Sequence, residues 1–348
     1  MKDSKTKKLV LVTGGTGFVG AHCIAQLLQQ GYKVKTTIRS LSRRDDVLSM
    51  LKTGGITSFD DLEVIEADLT KDTNWAKAVE HCDYVLHVAS PISLSIPKDE
   101  NEMILPAVEG TLRVLRAASA AQVKRVVMTS NFGAVGYSHK DTSTLITEDE
   151  WTDPNEKGLS AYNKSKILAE RAAWEFMQNG SGGMELTVIN PMGIFGPSLS
   201  ADLSSGFGLL KGVLEGSMKR IPNITLGIVD VRDVADVHIR AMIHPEAAGQ
   251  RFLALAGGIL SLPQIAQLLK DNIGDKGARV STKKIPDWIV RIAALFNPMA
   301  KNVVPLLGRY RNASNEKARK VLGWQPRSNK EAILATAESL LKFGAVKV

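Results

Sequence analysis

Residues 9–30 read LVLVTGGTGFVGAHCIAQLLQQ, and three successive signals decide their shape. The run 8–13 is apolar and rich in β-branched residues, which predicts a buried strand. Gly14, Gly17 and Gly20 follow at three-residue spacing, and apolar residues then recur at helical spacing until Gly31 ends the pattern. In a strand, tight turn and helix of this kind, glycine lets the backbone approach a pyrophosphate without a clashing Cβ. The helix N-terminus turns unpaired N–H groups and a partial positive charge toward the phosphates. The expected ligand is a dinucleotide, held by Gly14, Thr16, Gly17 and Gly20.

Outward from this turn the alternation repeats. YKVKTTI (32–38), LEVIEADL (62–69), YVLHVA (84–89) and KRVVMTS (124–130) read as strands, with helices near 44–52, 73–81 and 99–121 between them. A long helix over 159–179 and a sixth strand, MELTVINP (184–191), complete an α/β doubly wound parallel sheet of the Rossmann type. Beyond Gly196 the alternation is lost. Residues 1–195 are therefore expected to form the dinucleotide-binding domain, with 229–250 returning to it, and 196–348 a smaller substrate-binding portion. In that portion Phe207, Leu209, Leu210 and Met218 point to a nonpolar substrate.

The residue that closes the second strand selects the cofactor, because an acidic side chain there would accept hydrogen bonds from an unphosphorylated ribose. Here it is Arg39, with Arg43 and Arg44 close behind. A guanidinium at this point suits a 2′-phosphate, so NADPH is expected over NADH. Asp68, with the adjoining backbone of Leu69, ends the third strand where an adenine would lie. Val88, Ala89 and Ser90 end the fourth, on the edge where open α/β sheets bind ligands.

Of the five tyrosines only Tyr162 has a lysine four residues on, Lys166, within the helical stretch SAYNKSKILAERAAWEF (160–176). That spacing puts both on one helix face. Hydride delivery to a carbonyl creates an alkoxide that needs a proton, and an ammonium beside a phenol lowers the phenol pKa. Tyr162 is therefore the expected proton donor and Lys166 the residue that tunes it and bonds the ribose hydroxyls, so both are also expected cofactor contacts.

Composition excludes other classes. The chain of 348 residues is 44% hydrophobic and 23% charged, an ordinary globular balance. Its net charge of +8 is concentrated at Lys2, Lys5, Lys7 and Lys8 and at Arg39, Arg43 and Arg44. No aromatic residue lies beside either cluster, so a nucleic-acid partner is not expected. Two cysteines, Cys23 and Cys82, make no disulfide framework, and the six histidines show no metal-ligand spacing. His87 reads as a core histidine, and Trp174 and Phe176 as helix packing. Glycines interrupt what would have to be a signal-peptide core, and no apolar stretch is long enough to span a membrane. The expected protein is cytoplasmic, without metal or membrane partner, and a monomer or a homodimer pairing the helices at 99–121 and 159–179.

TGGTGFVG (13–20), SAYNKSK (160–166) and INPMGIFGP (189–197) together resemble the extended short-chain dehydrogenase/reductase family across nearly the whole chain. HVASP (87–91), AAWEF (172–176) and KARKVLGWQP (317–326) are most similar to its dihydroflavonol reductase and yeast-type aldehyde/ketone reductase branch. The resemblance implies NADPH-dependent reduction of aldehydes, ketones or diketones. It also implies that Phe18 and Val19 contact the cofactor and that Pro191, Gly193 and Ile194 line the nicotinamide.

One position departs from the family pattern. The usual serine that polarises the substrate carbonyl is replaced in MTSNFG (128–133) by Asn131, with Ser130 one place earlier. An asparagine amide donates as a hydroxyl does, so Asn131 is assigned that role and Ser130 is the fallback. Two alternatives share the motifs: an NAD-dependent sugar-nucleotide epimerase or dehydratase, and a non-catalytic dinucleotide sensor.

Overall fold

The computed structural model describes residues 7–91, 97–202, 204–296 and 303–346. Its centre is a seven-stranded parallel sheet. The strands are β1 (Leu9–Thr13), β2 (Lys33–Ile38), β3 (Leu62–Glu66), β4 (Tyr84–His87), β5 (Arg125–Thr129) and β6 (Glu185–Pro191). A further strand, Arg251–Ala254, pairs in parallel with β6 and is added beyond the six read from the sequence. Across the sheet the order is β3-β2-β1-β4-β5-β6 and then this seventh strand. The connection reverses direction between β1 and β4, and at such a switch point the loops diverge and leave a crevice above the strand ends.

Strand periodicity explains why the central strands β1, β4 and β5 are buried almost throughout, while the edge strand β3 is not. Successive side chains point to opposite faces, and helices cover both faces. Val10 and Val12 face a core shared with Ile24 and Leu27 of α1 (Phe18–Gln29) and with Val234 and Val237 of the helix Val231–Ile243. Leu11, between them in sequence, faces the other core. There Val114 and Leu115 of α2 (Asn101–Ala120) meet Ala169 and Ala173 of α3 (Ala161–Gln178), two long helices packed side by side. Trp174 and Phe176 pack against this second core, partly buried.

Chain beyond residue 196 splits between two places. Ile228–Asp230 pairs in parallel with Gly193–Phe195, and the helix that follows lies against α1. Asp230 caps that helix by accepting the Arg232 backbone N–H at 2.9 Å, and its buried carboxylate also pairs with the Arg232 guanidinium at 2.6 Å. The remainder builds a separate core closed by the C-terminal helix Asn329–Lys342, which begins with a Ser328–Glu331 capping box. Phe207 and Leu210 lie inside this core at 1% and 2% exposure, and Leu209 and Met218 pack against it. Phe207 and Leu210 are thus core residues, whereas Leu209 and Met218 keep part of their surface exposed.

Among the described residues no helix is long and apolar enough to cross a membrane, and no group of three His, Cys, Asp or Glu side chains is placed to hold a metal ion. Cys23 and Cys82 are both free and buried. Lys7 and Lys8 pair with Asp61 and Asp83 at the surface, while Lys2 and Lys5 lie outside the described residues.

Candidate active site

The site is assembled from the C-terminal ends of the central strands, beginning at the glycine turn. Gly14 has φ +78°, in the left-handed region that favours glycine, and a Cβ there would lie 3.0 Å from the Ala89 Cβ. A Cβ on Gly20 would fall on the Gly14 carbonyl oxygen, so only glycine lets α1 start this close to the strand. Gly15, which the three-residue spacing skips, is just as confined: its Cβ would stand 2.5 Å from Thr36 Oγ1. The N–H groups of Gly14 and Gly15 both donate to the Thr37 carbonyl, which pins the turn to β2. No side chain caps α1, leaving its first N–H groups directed at the crevice.

Thr13, absent from the motif reading, fastens this turn to β4. Its Oγ1 accepts the backbone N–H groups of Val88 and Ala89, each at 3.0 Å, and lies 3.1 Å from His87 Nδ1. An oxygen already accepting twice donates its own proton, so His87 Nδ1 is unprotonated and the ring neutral. Burial, with Lys166 nearby adding to it, pushes the His87 pKa down to about 3.

On the other side of the turn, Arg39 is exposed where β2 ends. Arg43 is held by Asp46 at 2.8 Å and by Asp202 at 3.1 Å. Asp68 accepts the Thr70 N–H and hydroxyl at 2.9 Å each, and the Leu69 carbonyl accepts from Arg113. The Leu69 side chain joins the core, as do those of Val19 and Ile194 in part. The Phe18 ring packs edge-on against Phe207 at 5.1 Å. Phe18, Val19 and Ile194 keep part of their side-chain surface exposed.

Beyond β4, the end of β5 faces the start of α3, whose first turn Ser160 caps by accepting the Asn163 N–H at 3.2 Å. Tyr162 and Lys166 rise from that first stretch of helix. Lys166 is 6% exposed, and its Nζ donates to the Thr129 carbonyl at 3.3 Å. Burial lowers its pKa to about 8, against the opposing charge of Glu170. Burial holds the Tyr162 phenol above its ordinary value, Tyr137 adds to the shift, and a hydrogen bond from Asn131 opposes it. Desolvation thus governs the phenol here.

Asn131 stands beside Tyr162. Its Nδ2 donates to Asn163 Oδ1 at 3.3 Å and its Oδ1 accepts the Ala134 N–H at 3.2 Å. Ser130 is 2% exposed, and its hydroxyl has no hydrogen-bond partner among the described residues. The Asn131 backbone is fixed from behind: Asn190 Nδ2 donates to its carbonyl at 3.2 Å and to Glu170 at 2.8 Å, and Glu170 pairs with buried Arg251 at 2.7 Å. Glu170 and Arg251 carry no motif signal, and Asn190 has no assigned role within INPMGIFGP, because each gains its meaning only from a partner distant in sequence.

These groups share one crevice: a phosphate-sized cradle at β1, an exposed arginine beyond β2, and a phenol, ammonium and carboxamide at β5. The turn fits a dinucleotide, since only glycines let its backbone and the start of α1 pack this closely, and the uncapped helix start would meet the phosphates.

Comparison with known proteins agrees with this fold. The model of the NAD dependent epimerase/dehydratase family matches residues 10–254. An anthocyanidin reductase of Vitis vinifera, the (2S)-flavan-3-ol-forming kind, is 34% identical over 278 residues, covering 76% of this chain and 80% of its own. A putative uncharacterized oxidoreductase of Saccharomyces cerevisiae is 30% identical over 97% of both chains. The crystal structure of yeast methylglyoxal/isovaleraldehyde reductase Gre2, complexed with NADPH, superposes with a TM-score of 0.81 at 27% identity, covering 97% of this chain and 99% of that one. The chain belongs to the NAD dependent epimerase/dehydratase family, in its dihydroflavonol reductase and yeast-type aldehyde/ketone reductase branch.

Proposed function

We propose that this protein is an NADPH-dependent carbonyl reductase that acts on aldehydes or ketones, with Tyr162 as the proton donor. The observation that carries this reading is the placement of Tyr162, Lys166 and Asn131 around the end of β5, in the same crevice as the glycine turn. The NADPH complexes of the yeast and Candida albicans Gre2 reductases support the cofactor. Gly14, Gly17, Gly20 and the start of α1 would hold its pyrophosphate, Arg39 its 2′-phosphate, and the backbone at Pro191 and Gly193 its nicotinamide end.

When bound, the reduced nicotinamide supplies a hydride. Everything else falls to side chains of this chain. One Asn131 amide hydrogen faces Asn163; the other points at the Tyr162 phenol and would turn to a carbonyl oxygen bound beside it, polarising it. As that oxygen gains charge, Tyr162 gives up its proton to it. A raised phenol pKa suits the reductive direction, because it keeps the acid protonated until an alkoxide demands the proton. Lys166, charged below about pH 8, then stabilises the phenolate until it is reprotonated.

A screen of aldehydes, ketones and diketones, following NADPH absorbance with NADH as the paired control, tests the reading. Consumption of NADPH by at least one carbonyl, and slower use of NADH, is expected. Tightly retained NAD without net turnover would favour an epimerase, and NADPH binding without oxidation a sensor.

A further inference from the structure

Arg311 is a half-buried guanidinium that has no ion-pair partner among the described residues. It lies over the Tyr137 ring, 4.0 Å from the centroid. Among the described residues it makes no ion pair within 4 Å and no hydrogen bond; Glu156 is the only carboxylate whose charge bears on it. Arg309 crowds it with a second positive charge, and burial further disfavours its charged form. A guanidinium carries five donors in a planar fork, and leaving them partly desolvated is unfavourable unless something arrives to accept them.

Its place in the site gives that something a role. The Tyr137 ring also meets the Phe132 ring edge-on at 5.9 Å, and Phe132 directly follows Asn131, so the cation stands two aromatic rings from the residue proposed to polarise the carbonyl. The chain holds it there by the pairing of Ala313 with Ile146 and by packing of Ala313, Phe132, Val135 and Tyr137 in one small cluster. Strand order separates it from the cofactor phosphates: the glycine turn is at β1, whereas Tyr137 and Ala313 belong to the β5 and β6 end of the crevice. Arg311 is therefore on the substrate side.

We infer that Arg311, stacked on Tyr137, is an anion subsite that anchors a carboxylate or phosphate carried by the carbonyl substrate. The inference rests on the proposed reductase reading and names its substrate class. A planar fork matches either anion in a bidentate manner. Tyr137 would set the distance between that anchor and the carbonyl presented to Tyr162 and Asn131.

The test compares matched pairs of substrates with NADPH: an aldehyde or keto acid against its methyl ester, and a phosphorylated aldehyde against the unphosphorylated compound. The wild-type protein should prefer one anionic member, and which pair shows it distinguishes carboxylate from phosphate. Arg311→Gln should reduce that preference, as a ratio of kcat/KM values, by about tenfold or more, mainly through KM. Arg311→Lys should restore part of it. A residue that merely supports the fold would lower both members alike and leave the ratio unchanged, and that result would overturn the inference. So would a wild-type preference for the neutral members, while leaving the reductase reading intact. Failure to turn over either member of any pair, or any carbonyl in the wider screen, would instead overturn the reductase reading and the subsite with it.

Discussion

The Thr13 hydroxyl faces His87 Nδ1 at 3.1 Å while accepting the backbone N–H groups of Val88 and Ala89. One oxygen thus ties the end of β1 to the end of β4 at the point where the sheet order reverses. Thr13→Val keeps the shape and strands three polar groups, two of them backbone donors. A loss of about 2–4 kcal/mol is expected in urea unfolding, and Thr13→Ser should recover most of it. An unchanged midpoint for the valine variant would show that the link carries no stability.

Glu170 and Arg251 form a second link, buried at 0% and 7% exposure. Removing the carboxylate by Glu170→Ala leaves Arg251 charged and unpaired, so a destabilisation of about 3–5 kcal/mol is expected. Because Glu170 also holds Asn190, which holds Asn131, kcat should fall in this variant even where the protein remains folded. Unfolding curves and steady-state kinetics on one preparation separate the two effects.

The sheet was legible because its strands are buried on both faces and its glycine turn has a local physical cause. Both signals lie within a few residues of each other. The strand Arg251–Ala254 escaped notice because four residues after an irregular stretch carry too little periodicity to stand out. Phe207 and Leu210 were read as pocket residues, yet apolar character alone does not distinguish a pocket wall from a core. Tyr162 and Lys166 were proposed from spacing and position and Asn131 from the family resemblance, and the structure brings all three together near the end of β5. Thr13, Tyr137, Glu170 and Arg311 remained silent, since their partners lie 20 to 174 residues away.

Three buried histidines set the acid limit of stability. Burial pushes the pKa of His22 and His238 to about 4 and that of His87 to about 3. Each folded value is below the unfolded one, so stability is full above pH 6.5 and falls as pH drops from there toward 4, where the unfolded chain takes up protons first. Urea titrations should show a loss of about 1 kcal/mol per histidine by pH 5.5. A flat profile between pH 7.5 and 5.5 would contradict this.

Lys166 sets the alkaline limit of activity. With its pKa lowered to about 8 by burial, the ammonium is lost above that pH while Tyr162, shifted upward, stays protonated. Reduction should therefore decline above about pH 8. Lys166→Arg keeps its charge, so whatever rate it retains should lack that limb. A limb that persists in the arginine variant would assign it to another group.

Tyr162→Phe bears most directly on the central claim. Measured by stopped-flow or steady-state NADPH oxidation with a carbonyl that the wild-type protein reduces, the variant should lose about two to four orders of magnitude in kcat. Its affinity for NADPH, titrated by fluorescence, should remain within the wild-type range, since the glycine turn and Arg39 are untouched. Turnover at the wild-type rate in the phenylalanine variant would remove Tyr162 as the proton donor and the reductase mechanism built on it.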